Sequence, residues 1–581
     1  MKKLLVFMKS YRKETILAPL FKLLEASFEL FVPLVVAAII DSGIGSGRKG
    51  YVIQMSGVLI ALGLIGLACA VTAQYFSAKA SVGFATKLRH QLFAHIQTLS
   101  FTEMDTIGTS TLITRMTSDI NQIQSGVNLV LRLFLRSPFI VFGAMVMAFT
   151  VDAKAALVFV VAIPLLSVVV FGIMLITMPL YKKVQASLDT VLGITRENLT
   201  GARVLRAFNK EEDEWECFLE NNTLLTGLQK HVGKISNLMN PLTYIIVNGS
   251  IIALIYTGAI RVDTGVLTQG QVVALVNYMS QILVELVKLA NLIISVTKAI
   301  ACGNRVAGIL DIQSSMPDPA SNGSSVSAKV SGTAPAVVFD HVSLTYKDAG
   351  APSLTDISFT AMPGETIGII GGTGSGKSSL VNLIPRFYDA TEGQILIGGT
   401  DVKKLRLGDL RGRIGMVLQK AVLFKGTIAE NLRWGNPDAS DEDLWKALKT
   451  AQAADVVEHK DGQLAAPVEQ GGRNFSGGQK QRLTIARALV RNPEILILDD
   501  SASALDFATD ARLRKAIREL DTNPAVFIVS QRTSSIQHAD KIIVLDDGKA
   551  VGMGTHAELL KSCPAYQEIY YSQFKKEESG R

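Results

Sequence analysis

Cysteine is scarce in this 581-residue chain. The four present, Cys69, Cys217, Cys302 and Cys563, are scattered, with neither CxxC spacing nor neighbouring histidines. That excludes a disulfide framework and a zinc site of ordinary spacing. Charge is thin too: 19% of residues are Asp, Glu, Lys or Arg against 48% hydrophobic, and the mean hydropathy is +0.30. An ordinary soluble protein of this length is thereby excluded. No small-residue cleavage site follows the opening Met-Lys-Lys, and the first apolar run is too long for a signal-peptide core, so it reads as a retained membrane helix. The chain is too long for one core and suits two or three domains, and it carries no internal repeat. The net charge of +7 does not make nucleic acid an expected partner, because basic membrane proteins acquire the same balance from Lys and Arg in cytoplasmic loops.

What is present in the first 300 residues is long apolar runs. Membrane helices are expected near 16–41, 55–78, 127–150, 155–180, 239–261 and 272–298, each long enough to cross a hydrocarbon core about 30 Å thick. Val151-Asp152-Ala153-Lys154 reads as a tight turn between the third and fourth. The intervals 79–126 and 181–238 are polar yet keep a helical period, so they should project well beyond the bilayer. The second interval carries Lys182, Lys183, Arg196, Arg203, Arg206, Lys210, Lys230 and Lys234, whereas the short loops opposite hold Arg48, Lys49, Lys154 and Arg261. The positive-inside rule then puts both long intervals and both chain ends in the cytoplasm. A Ser/Pro/Gly-rich linker at 312–335 divides a membrane domain, 1–311, from an α/β nucleotide-binding domain, 336–581, where short apolar strands alternate with helices.

Within that last domain Gly371, Gly372, Thr373, Gly374, Ser375, Gly376, Lys377 and Ser378 fit G-x-x-x-x-G-K-[ST] between a strand and a helix, with Ser379 following. Glycines let backbone N–H groups close on phosphate oxygens, Lys377 reaches the β- and γ-phosphates, and Ser378 suits Mg²⁺. Phe475, Ser476, Gly477, Gly478 and Gln479 open an amphipathic helix, expected over Lys480–Val490, and the apolar strand Ile495–Leu498 ends in Asp499-Asp500. Together these motifs resemble the ATP-binding cassette (ABC) family over the whole chain, as half of an ABC exporter of the multidrug and lipid kind. The implied fold is a multidomain membrane protein: a six-helix all-α transmembrane domain of ABC exporter type, then an α/β P-loop nucleotide-binding domain. The implied cofactors are ATP and Mg²⁺.

The resemblance assigns further roles. Tyr346 would stack on adenine, Gln419 and Asp499 would join Ser378 at Mg²⁺, Ser503–Asp506 would form the D-loop that crosses between cassettes, and Glu469 would belong to the X-loop. Two cassettes of this family close head to tail, so Phe475–Gln479 would serve the ATP of a partner. Short helices near Phe101–Ile107 and Leu205–Glu214 would carry cassette closure to the membrane domain.

At two positions the chain departs from the family. Asp500 stands where a catalytic Glu is expected and is one methylene shorter; Gln531 stands where a His is expected and cannot carry a positive charge. Phosphoryl transfer depends on positioning, and a displacement of about 1 Å costs about 10²-fold. The pattern resembles the degenerate-site subunit of bacterial heterodimeric multidrug exporters. It implies a second, non-identical half-transporter as partner, hydrolysis mainly at the partner's competent site, and ATP-driven export of a small amphipathic substrate across the cell membrane. An importer or lipid flippase on the same fold, or a membrane-bound ATP sensor that transports nothing, is an alternative. The first span follows so soon that a peptide exporter with its own N-terminal peptidase is not expected. Among ionisable residues in the spans, Lys22 with Glu25 and Glu285 with Lys288 are i, i+3 neighbours that pair, Glu29 lies beside them, and Glu285 is the candidate to line a path for cationic or amphipathic cargo.

Overall fold

The computed structural model describes residues 2–316 and 334–574. Most of the linker expected at 312–335 lies outside the described residues. The chain divides into two units: Met1–Gln97 with Thr109–Ile312, and Thr98–Gly108 with Gln313–Arg581.

The first unit contains helices long and apolar enough to cross a membrane at Lys3–Ile44, Lys49–Thr98, Thr109–Val151, Ala153–Thr200, Glu211–Asp263 and Gln269–Leu310. Each contains one expected span, and the polar intervals continue those helices as anticipated; the 50-residue second helix is about 75 Å long. The turn between the third and fourth is one residue, because extended Asp152 caps the fourth helix. Its Oδ1 accepts from the Ala155 N–H at 2.8 Å, and its Oδ2 accepts from Arg261. The sixth helix opens with a Thr268/Gln271 capping box, pinned by Asp41, which accepts from the Gly270 N–H at 2.8 Å.

The core of this unit is rich in alanine: Ala26, Ala144, Ala148, Ala155 and Ala156 surround Phe159 and Tyr278. Small residues let helix backbones approach closely. Tyr278, fully buried, satisfies its hydroxyl by donating to the Leu30 carbonyl at 2.7 Å. Between 0% and 33% of the most apolar stretch of each helix is buried within the chain, which leaves most of that surface to lipid or another subunit.

One expected element is displaced. The short helix foreseen at Leu205–Glu214 lies at Ala202–Phe208. Asn209, with φ 52°, stops it in the left-handed conformation, and the acidic run Glu211–Glu214 instead forms the first turn of the fifth span's helix, where carboxylates complement the positive end of the helix dipole.

The second unit is an α/β cassette built on strands β1 (Val337–Leu344), β2 (Leu354–Ala361), β3 (Thr366–Gly371), β4 (Glu392–Ile397), β5 (Thr400–Asp401), β6 (Ile414–Val417), β7 (Gly426–Thr427), β8 (Pro467–Val468), β9 (Ile495–Asp499), β10 (Ala525–Val529), β11 (Lys541–Asp546) and β12 (Lys549–Gly554). The main sheet runs β12-β11-β3-β10-β9-β6, parallel except at the β12 edge. β3, β9 and β10 are buried at every residue, which is why they read as unbroken apolar runs. A second, antiparallel sheet runs β2-β1-β4-β5. β7 and β8 form a separate pair.

Helix Phe101–Ile107, expected on the family pattern, is found over those residues and belongs to this unit. Phe101 lies 4.7 Å from Phe387 between ring centroids, and Tyr388 donates its hydroxyl to Asp105 at 2.6 Å. Burial and that carboxylate hold the Tyr388 phenol above its ordinary range.

Candidate functional site

The C-terminal ends of β3, β9 and β10 open onto a cleft of about 240 Å³, the place where parallel sheets carry their ligands. β3 ends at Gly371, where a Cβ would lie 2.1 Å from the Leu545 carbonyl oxygen, so only glycine fits. The loop then passes through Gly374 (φ 85°) and Gly376 (φ 92°), left-handed positions that side chains rarely adopt. Helix Lys377–Leu383 follows, with no side chain capping its first N–H groups.

Lys377 is folded into this loop. Its Nζ donates to the carbonyls of Gly371 at 2.9 Å and Gly372 at 2.5 Å. Burial lowers the Lys377 ammonium from its ordinary value, and the carboxylates of Asp500 and Asp499 oppose that fall. Ser378 Oγ donates to Asp499 Oδ1 at 3.0 Å. Asp499 closes β9, is 4% exposed, and is pushed above the ordinary carboxylate range chiefly by burial, with the neighbouring Asp500 adding to it.

Asp500 takes φ 47° and anchors its N–H on the Val529 carbonyl at 3.0 Å. Aspartate tolerates the left-handed region better than most side chains. Its Oδ2 accepts from Gln419 Nε2 at 3.4 Å, and burial raises its carboxyl as well. Gln419 and Gln531 are exposed and line the same cleft, together with Thr373, Gly374, Gly376, Lys377, Ser378, Ser379, Asp499 and Asp500. The two departures from the family pattern therefore face one space with the P-loop.

Tyr346 is half-buried beside the cleft rather than on its lining; its hydroxyl donates to Ser379 Oγ at 2.9 Å and its ring meets Tyr388 edge-on at 5.0 Å. Glu469 is exposed and also stands off the lining. Phe475–Gln479 lie off the lining as well. Phe475 is buried in the core, and Ser476 and Gln479 form a capping box, the Ser476 N–H donating to Gln479 Oε1 at 3.0 Å. This box starts the helix at Gly477, three residues before the expected Lys480, and it runs to Leu489. A Cβ at Gly478 would come 2.9 Å from the Ala504 carbonyl, so the D-loop passes close behind the glycine pair. Asp506 caps the next helix through Thr509.

Several residues here carry no sequence signal. Ser353, Val529 and Ser530 line the cleft. Arg532 donates to the carbonyls of Ala502, Ser503 and Leu505, tying the D-loop to the segment that holds Gln531. Gln573, on helix Pro564–Gln573, donates to the Gln531 carbonyl at 2.7 Å and accepts from the Thr533 N–H at 2.9 Å. It fixes the backbone at position 531 from 42 residues away.

The donor set suits a magnesium nucleotide. Ser378 and Asp499 already face each other at hydrogen-bond distance, Gln419 lines the same cleft, and hard oxygen ligands are what Mg²⁺ takes. Mg²⁺ uses one or two carboxylates with phosphates and waters rather than a protein cage. When bound, it neutralises charge on the phosphates.

In the membrane unit the two expected pairs are present: Lys22 to Glu25 at 2.5 Å and Lys288 to Glu285 at 2.8 Å. Sequence reasoning passed over Arg136, 7% exposed, which donates to Glu285 at 2.6 Å and to Glu29 at 2.6 Å. Glu285 lines a cavity, yet it is 3% exposed and also accepts from Ser137 Oγ at 2.7 Å. Both of its oxygens are thereby engaged.

Comparison with known proteins places these features in context. Residues 15–286 match the family described as ABC transporter transmembrane region, and residues 354–503 match ABC transporter. An uncharacterised ABC transporter ATP-binding protein of Mycobacterium tuberculosis is 37% identical over 97% of both chains. A putative multidrug export ATP-binding/permease protein of Bacillus subtilis, YgaD, is 31% identical over 99% of both. An ATP-dependent lipid A-core flippase of Hahella chejuensis is 30% identical over 86% of this chain and 84% of its own. The solved structure of a bacterial Atm1-family ABC exporter with ATP bound has the same fold, with a TM-score of 0.81 at 24% identity, covering 97% of this chain and 100% of that one.

Proposed function

The chain belongs to the ABC transporter family, as a membrane protein with the fold of an exporter half-transporter, and from that premise we propose that it exports small amphipathic molecules as the degenerate-site half of a heterodimer. The observation that carries this reading is the company Asp500 and Gln531 keep. Both line one cleft with Lys377, Ser378 and Asp499, residue types suited to phosphate and Mg²⁺. Binding groups are retained while the carboxylate that would polarise water is shortened and the cationic phosphate contact is replaced by an amide.

ATP and Mg²⁺ would be held by the P-loop from Gly371 to Ser379, with Ser378, Gln419 and Asp499 toward the metal and Tyr346 toward the base. Phe475–Gln479, off this cleft, would present Ser476 and the helix N-terminus to the nucleotide of the other subunit. ATP in the chain's own cleft would act as a tether, and hydrolysis at the partner's site would reset the transporter. Charge asymmetry supports cytoplasmic ends and long intervals.

Apolar side chains on and just before the short helix Ala202–Phe208 support a second half. Leu199 is 77% exposed, Val204 59% and Phe208 73%, too much apolar surface in one place to be left in water. The names of two relatives, one a flippase and one a putative multidrug exporter, keep lipid-like and drug-like cargo together in the proposal.

The test is assembly and turnover. Expressed with a half-transporter carrying Glu and His at the corresponding positions, the chain should form a heterodimer that hydrolyses ATP and moves an amphipathic dye in vesicles. A homodimer of this chain alone with brisk ATPase activity overturns the reading.

A further inference from the structure

Four side chains of alternating charge run in series through the membrane unit. Glu29 accepts from Arg136 Nη2, Arg136 Nη1 donates to Glu285 Oε1, and Glu285 Oε1 also accepts from Lys288 Nζ, at 2.6, 2.6 and 2.8 Å. The inner two are buried, with side-chain exposures of 8% for Arg136 and 4% for Glu285. The outer two are open: Glu29 is 39% and Lys288 43% exposed. The series thus begins in an accessible carboxylate and ends in an accessible ammonium.

Both open ends face one cavity of about 430 Å³, whose wall also carries Asn277, Ser280 and Gln281. Glu29 and Val32 are shared with a second cavity of about 650 Å³, whose wall carries Glu25 and Arg136 besides the apolar Phe28, Leu59, Leu62 and Leu67. A space of mixed lining and one with a long apolar stretch of wall therefore meet at Glu29. Two buried polar atoms at these walls lack a protein partner, Gln281 Oε1 and Arg136 Nε, and unpaired buried polar atoms are costly unless a ligand or water satisfies them.

With Lys22 and Glu25, paired at 2.5 Å, the cluster balances three acids against three bases. A ligand of one sign would leave an uncompensated charge at bilayer depth, whereas a ligand carrying both signs would not. We propose that this is a binding site for an amphipathic zwitterion, its cationic group on Glu29, its anionic group on Lys288, and its apolar body along the Phe28–Leu67 wall. The assignment rests on the reading that the membrane unit carries amphipathic cargo, and it moves the recognition role from Glu285, whose oxygens are engaged, to Glu29 and Lys288.

The test uses the full-length chain in phosphatidylglycerol nanodiscs without nucleotide, so that a failure of the division of labour between ATP sites cannot affect it. Binding of radiolabelled lysophosphatidylcholine, corrected with empty nanodiscs, is competed by hexadecyltrimethylammonium, by hexadecyl phosphate and by glycerophosphocholine. The zwitterionic amphiphile should compete at about tenfold lower concentration than any of the three. Glu29→Gln and Lys288→Gln should each weaken it about tenfold. Glu29→Gln should not weaken the anionic competitor, nor Lys288→Gln the cationic one, and Glu29→Asp should recover most of the affinity. Equal competition by all four compounds, or unchanged binding in folded Glu29→Gln and Lys288→Gln chains, overturns the proposal; so does glycerophosphocholine matching the amphiphile.

Discussion

Replacing Gly477 by Asp separates what this chain needs for its own stability from what, in the proposed heterodimer, it supplies to the other subunit. Gly477 is exposed, is the first residue of its helix, and a Cβ built there meets no atom within 4 Å. Its φ is not positive, so a side chain brings no backbone strain. A carboxylate in the first turn is favourable by about 0.3–1 kcal/mol. The melting temperature of the isolated chain should hold or rise slightly. ATP hydrolysis by the assembled transporter should fall about 10²-fold or more, because a fixed negative charge would then face the γ-phosphate; loss of a single transition-state donor already costs about 10²–10³. Thermal unfolding of the chain and phosphate release by the heterodimer measure the two halves separately. A stable, assembled Gly477→Asp transporter with wild-type turnover would refute the assignment of this helix terminus to a partner's nucleotide. A chain that loses several degrees of stability would refute the structural half.

Asp500→Asn keeps a residue suited to the left-handed backbone and removes the charge; total ATPase of the heterodimer should fall less than about twofold, where a working general base would cost about 10²–10⁴. Asp499 is held above the ordinary carboxylate range by burial, so the folded chain keeps this proton to higher pH than the unfolded one does. Its ionisation destabilises the nucleotide-free cassette as pH climbs from the ordinary aspartate range through the raised value. Asp499→Asn should therefore raise the nucleotide-free melting temperature at neutral pH, with the gain vanishing in acid, and should abolish further stabilisation by Mg-ATP. Gly371→Ala would press a methyl group onto the Leu545 carbonyl and Ser375 Oγ, at 2.1 and 2.6 Å; overpacking of this kind costs about 1–3 kcal/mol, and binding of a fluorescent ATP analogue should be lost.

What was legible in the sequence is what neighbours along the chain can carry. The P-loop, the Asp499-Asp500 pair and the Ser476–Gln479 segment are contiguous, and each has a spacing set by phosphate or capping chemistry. Strands buried on both faces announce themselves as apolar runs, as β3, β9 and β10 do. The antiparallel sheet leaves no such mark, because β2 and β4 mix buried apolar with exposed polar residues, a pattern that loops share. Ser353 and Gln573 reach the site from a hairpin and a terminal helix, and nothing local distinguishes a serine or glutamine that will do so. The short helix Ala202–Phe208 is hard to place from sequence, because its stop depends on a left-handed asparagine and on which helix claims the following acidic run.

The membrane cluster shows the same division with a larger consequence. An i, i+3 spacing is enough to pair Lys22 with Glu25 and Glu285 with Lys288. Arg136 bonds to carboxylates 107 and 149 positions away, and no spacing rule reaches that far. Without it Glu285 looks like an acid with one neighbour and an open oxygen. With Arg136 and Ser137 added, Glu285 becomes the buried middle of a series whose free ends are Glu29 and Lys288. A buried charge is tolerated when paired and strongly destabilising when its partner is removed, by about 3–5 kcal/mol. The inner pair is therefore bound to the fold and little free to engage cargo, whereas the outer pair, each bonded on one side and open on the other, can exchange a solvent contact for a ligand contact. Recognition falls to the ends of the series, and an alternating series of four presents one end of each sign.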